Sequence, residues 1–143
     1  MIFRIGGSKM KKISILVPCY NEEAVLPQFY DRMRAVMDAL PAYRFGILFV
    51  NDGSRDGTLA VMQQLHQQDD RVSYLELSRN FGKETAMIAG IDYIDGDAVV
   101  IMDADNQHDP NELPKFFKAL RDHKMVFGVR RFTGNMPLMR FLG

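Results

Sequence analysis

The sequence predicts a doubly wound α/β domain built on a mostly parallel sheet, and three observations carry that reading. Short apolar runs alternate with stretches of helical periodicity, each run is followed by a polar turn, and the segments between runs are long enough for the crossovers that parallel strands require. At 143 residues the chain can build one domain with a core and is too short for two ordinary ones.

Taken in order, Ile13 to Val17 reads as a buried strand followed by the turn Pro18-Cys19-Tyr20-Asn21-Glu22. Val25, Leu26, Phe29, Met33, Val36, Met37 and Leu40 then recur at helical spacing until Pro41 stops them. The plan repeats with strand Phe45 to Val50, the turn Asn51 to Gly57, and a helix whose apolar face is Leu59, Val61, Met62 and Leu65. A third unit has strand Val72 to Leu77, turn Ser78 to Gly82, and a helix from Lys83 to about Ile94. The fourth strand, Ala98 to Met102, runs into Asp103-Ala104-Asp105-Asn106-Gln107, after which Asp109 or Asn111 can cap a helix to about Arg121. Met125 to Val129 is the fifth strand. The leader 1–11 is expected to be disordered, with Met10 an alternative start, and 12–131 to form the folded domain.

Composition narrows the partners. Lysine plus arginine equal aspartate plus glutamate at 18 each, so no net field recruits nucleic acid or anionic lipid, and phosphate binding must be local. The single cysteine, Cys19, ends an apolar strand, excludes an internal disulfide, and reads as a buried, inert thiol in a reducing compartment. No apolar run approaches the length needed to cross a bilayer, and the leader lacks the apolar core of a signal peptide, so a cytoplasmic chain is expected.

The four turns Pro18 to Glu22, Asn51 to Gly57, Ser78 to Lys83 and Asp103 to Asp109 all follow strands and precede helices, so they gather at one edge of the sheet, where open α/β sheets bind ligands. Asp103 and Asp105 are hard oxygen ligands suited to Mg²⁺ or Mn²⁺; there is no Cys/His cluster for zinc. Carboxylates would repel a diphosphate unless a divalent cation lay between them. Lys83, after Gly82 at a helix mouth, is placed for an anion or is a solvated surface lysine. Asp52 either belongs to a tight turn, with Ser54 or Asp56 capping the next helix, or accepts from base N–H groups. Tyr20 suits base stacking, and Asn21 caps the following helix or faces the ligand. His66 and His123 read as solvated; His108, in the acidic turn, is either solvated as well or a group behind the metal ligands. With no Gly-x-Gly-x-x-Gly and no Gly-Lys-Ser/Thr, dinucleotide and P-loop sites are not indicated.

Together, Val17-Pro18-Cys19-Tyr20-Asn21-Glu22-Glu23, Val50-Asn51-Asp52-Gly53-Ser54-Arg55-Asp56-Gly57-Thr58, Ser78-Arg79-Asn80-Phe81-Gly82-Lys83-Glu84 and Met102-Asp103-Ala104-Asp105 resemble one group. They look like the family-2 inverting glycosyltransferases, and within these the polyprenyl-phosphate enzymes related to dolichol-phosphate mannose synthase and bactoprenol glucosyltransferase. The resemblance covers about Lys12 to Arg131. It implies a Rossmann-like fold of the glycosyltransferase A type and a UDP- or GDP-hexose donor. Pro18, Tyr20, Asn21, Glu22 and Asp52 would surround the nucleoside, Gly82 and Lys83 lie near the donor, and Asp103, Asp105 and Gln107 hold Mg²⁺ or Mn²⁺ at the diphosphate. Gly128 to Arg131 resembles a segment in which an arginine, here Arg131, meets phosphate.

The implied reaction inverts the sugar's anomeric carbon as a polyprenyl phosphate displaces the nucleoside diphosphate at the cytoplasmic face of a membrane. Two departures stand out. Asn106 replaces an apolar residue of the family pattern, and the chain stops at Gly143 where the family continues into an acceptor-binding, membrane-interface region, of which 132–143 resembles the start. The alternative is therefore an inactive, truncated fragment that binds the donor without turnover, favoured by exposed apolar surface near Phe116, Phe117, Phe132 and Met136 to Leu142.

Overall fold

The computed structural model describes residues 1–4, 11–129 and 138–142. Its strands are β1 (Ile2–Arg4), β2 (Lys12–Cys19), β3 (Arg44–Asn51), β4 (Val72–Glu76), β5 (Ala98–Ile101), β6 (Met125–Val129) and β7 (Leu138–Leu142). Its helices are α1 (Leu26–Asp38), α2 (Thr58–Gln68), α3 (Lys83–Tyr93) and α4 (Leu113–Ala119), the last entered through a 3₁₀ turn at Pro110–Glu112.

The strands form one sheet in the order β4-β3-β2-β5-β1-β6-β7. β2 pairs in parallel with β3 and β5, and β3 in parallel with β4. β2 sits centrally because its run is apolar at nearly every position, so both of its faces can be buried. The register Cys19↔Asn51↔Glu76 brings the carboxyl ends of β2, β3 and β4 level.

Two layers cover the sheet unequally. α1 contributes Leu26, Phe29, Tyr30, Met33, Val36 and Met37, one stripe at helical spacing, to a core shared with Ile15, Phe49, Met62 and Phe117. On the other face, among the described residues, α3 is the helix that packs on Leu16, Val50, Val99 and Ile101. It presses close because Ala86 and Gly90 face the sheet; a Cβ at Gly90 would stand 2.3 Å from Leu16 Cδ1.

The first residues of the leader depart from expectation. Ile2–Arg4 forms β1, antiparallel to both β5 and β6, with Ile2 opposite Val100 on one side and Val126 on the other. Three residues are too few to register as periodicity, yet they pair the backbone edges of two strands and bury Ile2 in the larger core. Phe117 is likewise buried at 2% exposure, against tilted rings of Tyr43 and Phe45, so it adds nothing to an exposed apolar surface. Phe132 and Met136 lie outside the described residues. Among the described residues no helix is long and apolar enough to cross a membrane.

Candidate donor-binding site

Parallel register gathers the turns after β2, β3, β4 and β5 around a cleft of about 360 Å³. β2 and its turn supply Pro18, Cys19, Tyr20 and Glu22; the turn after β3 supplies Asp52; the next turn and α3 supply Asn80, Gly82 and Lys83; Asp103 and Asp105 follow β5. Tyr20 stands 41% exposed at the wall.

The turns hold one another. Asn21, in the left-handed region at φ 52°, donates its backbone N–H to Ser54 Oγ (3.0 Å) and accepts the Arg55 N–H at Oδ1 (2.8 Å). The Glu22 N–H donates to Thr58 Oγ1 (2.9 Å), and the Gly57 N–H to Glu23 Oε2 (2.7 Å). Asn21 is thus a clasp behind the cleft rather than a cap: Val25 starts α1 without any side-chain cap. Asp52 is 3% exposed and its carboxylate accepts the Phe81 N–H at Oδ1 (2.8 Å) and the Gly82 N–H at Oδ2 (3.0 Å). It therefore positions the turn that delivers Lys83.

At the acidic end Lys83 Nζ lies 2.5 Å from Asp103 Oδ1. Asp105 Oδ1 accepts the Gln107 backbone N–H (3.0 Å), which places Gln107 beside the acidic pair but outside the cleft lining. Burial raises the Glu22 carboxyl pKa above the ordinary range, and the charges of Asp105, Asp103 and Asp56 push it further. This corner is short of positive charge. Burial, then the charges of Glu22 and Asp103, push the Cys19 thiol far up, so the thiol is inert.

A model of glycosyl transferase family 2 matches residues 14–140. The chain belongs to glycosyltransferase family 2. Within the family it is 45% identical over 102 residues to the bactoprenol glucosyl transferase of Shigella phage SfV, covering 71% of this chain and 33% of that protein. Its fold is similar to that of TarS 1–349 from S. aureus in complex with UDP-GlcNAc, with a TM-score of 0.68 at 22% identity over 87% of this chain and 36% of that one. The mannosyltransferase PcManGT from Pyrobaculum calidifontis, in complex with GDP-Man and Mn²⁺, matches with a TM-score of 0.59 at 22% identity over 68% of this chain and 28% of that one. The chain spans about a third of the length of the curated relatives it matches.

The neighbour PcManGT is in complex with Mn²⁺, and the residues here are of the kind that would suit a divalent cation. Among the described residues no three His, Cys, Asp or Glu side chains form a cage. Mg²⁺ suits a site of one or two carboxylates completed by phosphate and water, and Asp103 and Asp105 in the cleft lining would fit that requirement. The Lys83 ammonium on Asp103 is itself a cation drawn to that position.

Two participants escaped sequence reasoning. Asn80 lines the cleft from within a turn already singled out, so its place in that turn was the available signal. Arg32 reaches Asn106 from α1 across 74 residues, and nothing local marks it. Arg131 lies outside the described residues.

Proposed function

We propose that this domain binds a UDP- or GDP-hexose in the cleft and transfers the hexose, with inversion, to a polyprenyl phosphate at the cytoplasmic face of a membrane. The observation that carries the reading is that Lys83, Asp103 and Asp105 line one cleft, with Lys83 on Asp103, and that Tyr20 lines the same cleft. An acidic pair with a lysine at a helix mouth suits a metal-bound diphosphate, and an exposed ring suits a base.

In this reading Tyr20 stacks on the base, Pro18 and Glu22 border the nucleoside, and Asp52 holds the turn that aims Gly82 and Lys83 at the diphosphate. Asp103, Asp105 and Gln107 would hold Mg²⁺ or Mn²⁺. When bound, that cation neutralises the diphosphate and makes it a better leaving group. An acceptor phosphate oxygen forms the new bond to the anomeric carbon, the bond to the donor diphosphate breaks, and the nucleoside diphosphate leaves with the electron pair. A phosphate monoester, with a second pKa of about 6, is already ionised at neutral pH, so this acceptor needs no general base from the protein. Positioning and stabilisation of the leaving group then carry the catalysis. Arg131 meets phosphate in this reading by resemblance alone.

Calorimetric titration with UDP-glucose and GDP-mannose, with and without Mn²⁺, beside Asp105→Ala, tests the reading. Saturable binding that needs both metal and Asp105 is expected; no binding by a folded protein overturns it. The other outcome, donor binding without transfer, is separated by a product assay. Formation of a glycosylated polyprenyl phosphate excludes it.

A further inference from the structure

We infer that Arg32, on the outer side of α1, is a positioning residue for the acidic loop that follows β5, with Asn106 as its handle. This inference rests on the metal-dependent donor site proposed above. Arg32 Nη1 donates to the Asn106 carbonyl oxygen (3.4 Å) and to Asn106 Oδ1 (3.5 Å), and Nη2 donates to Asp109 Oδ1 (3.3 Å). One guanidinium therefore holds both ends of the segment Asn106–Asp109. The contacts are individually long, but a rigid fork that engages three acceptors restricts the loop more than three separate donors would.

Asn106 adds the second half of the clamp. Its Nδ2 donates to the Val25 carbonyl oxygen (3.5 Å), tying the loop to the residue that opens α1. Its backbone lies at φ 58°, a region that asparagine enters more readily than an apolar residue does. That turn separates Asp105 from Gln107 and lets Asp105 Oδ1 take the Gln107 N–H. The departure from the family pattern at Asn106 thus has a partner in this same chain. Asp109 in turn caps the 3₁₀ turn by accepting the Asn111 N–H (3.0 Å), so the far end of the loop is anchored as well.

Arg32, Asn106 and Asp109 do not line the cleft, whereas Asp105 does, so Arg32 acts through Asp105 and its neighbour Gln107 and touches no donor. Groups that orient metal ligands typically alter metal affinity by about 10- to 100-fold when removed.

The experiment compares wild type, Arg32→Gln and Arg32→Lys by amide hydrogen exchange of residues 105–109, and by UDP and GDP titration with and without Mn²⁺. We expect Arg32→Gln to exchange faster across 105–109 and to weaken Mn²⁺-dependent binding about tenfold, with metal-free nucleotide binding within about twofold and partial rescue by Arg32→Lys. Unchanged exchange overturns the positioning role. Faster exchange with unaltered metal dependence, or equal losses with and without metal, overturns its link to the site. If wild type itself shows no metal-dependent binding, the proposed function fails, the link to the site fails with it, and exchange alone still decides whether Arg32 holds the loop.

Discussion

Lys83 Nζ stands 2.5 Å from Asp103 Oδ1, so an ammonium already occupies one flank of the carboxylate pair assigned to the metal. Both side chains are more than a third exposed, at 57% and 35%, so the pair adds little to stability. Its interest lies in competition: a divalent cation taking Asp103 Oδ1 would displace Lys83, which would then become available to the diphosphate. Lys83→Ala should leave unfolding within about 1 kcal/mol of wild type. In calorimetry it should lower donor affinity at least about tenfold, the scale of one charge-assisted contact, while Mn²⁺ alone binds no more weakly. Parallel loss of Mn²⁺ and donor binding would count against the exchange of partners.

Asp52 makes a second prediction, because a buried carboxylate with two backbone donors is costly to remove. Asp52→Ala strands the N–H groups of Phe81 and Gly82 and should cost about 1–3 kcal/mol in urea unfolding. Asp52→Asn keeps one acceptor and should lose less. Donor binding should fall in both, since the turn bearing Lys83 loosens; full donor affinity in a stable Asp52→Ala would show that the turn holds itself.

The parallel part of the fold was legible because its signals are periodic. The β2, β3, β4 and β5 strands and α1 to α3 lie within a few residues of the bounds that apolar spacing and Pro41 imply, and Met125–Val129 coincides with the expected strand. What stayed hidden was contact between distant positions. β1 is too short to show alternation and is defined by Val100 and Val126. At the site, spacing after strands put Tyr20, Glu22, Asp52, Lys83, Asp103 and Asp105 at one edge, and they line one cleft. The work of Asn21, which clasps Ser54 and Arg55, could not be read, because a residue that caps, clasps or binds looks the same in isolation.

Gly53 offers a sharper test of how tightly the turns interlock. It sits at φ 66°, and a Cβ there would stand 2.3 Å from both the Arg79 carbonyl carbon and the Asn80 backbone nitrogen. Neither backbone atom can yield without moving the turn that carries Lys83. Gly53→Ala should destabilise by about 3 kcal/mol or more, combining left-handed strain with a backbone clash. Denaturant unfolding within about 1 kcal/mol of wild type would mean the two turns can separate freely.

Acid sensitivity should centre on Asp69, which lies between α2 and β4 and ties that connection to Tyr30 of α1. Its carboxylate takes Arg71 Nε (2.9 Å) and Nη2 (2.8 Å), the Arg71 N–H (2.9 Å) and the Tyr30 hydroxyl (2.7 Å), while Arg71 Nη1 reaches Asp38 (2.8 Å). Hydrogen bonding from the Arg71 guanidinium, above all, holds the Asp69 pKa well below the ordinary carboxylate range against the opposing effect of burial. A carboxyl depressed in the folded state contributes stability above its unfolded pKa of about 3.9 and loses it as pH falls toward the folded value. Asp69→Asn should therefore cost about 1–3 kcal/mol at pH 7, the scale of hydrogen bonds to a charged group at a side chain only 10% exposed. The gap from wild type should narrow progressively below about pH 4. Urea unfolding of both proteins from pH 7 down to 3 reads the difference directly; a gap that stays constant with pH would assign the loss to packing around Tyr30 and Arg71 instead of to the ionised carboxylate.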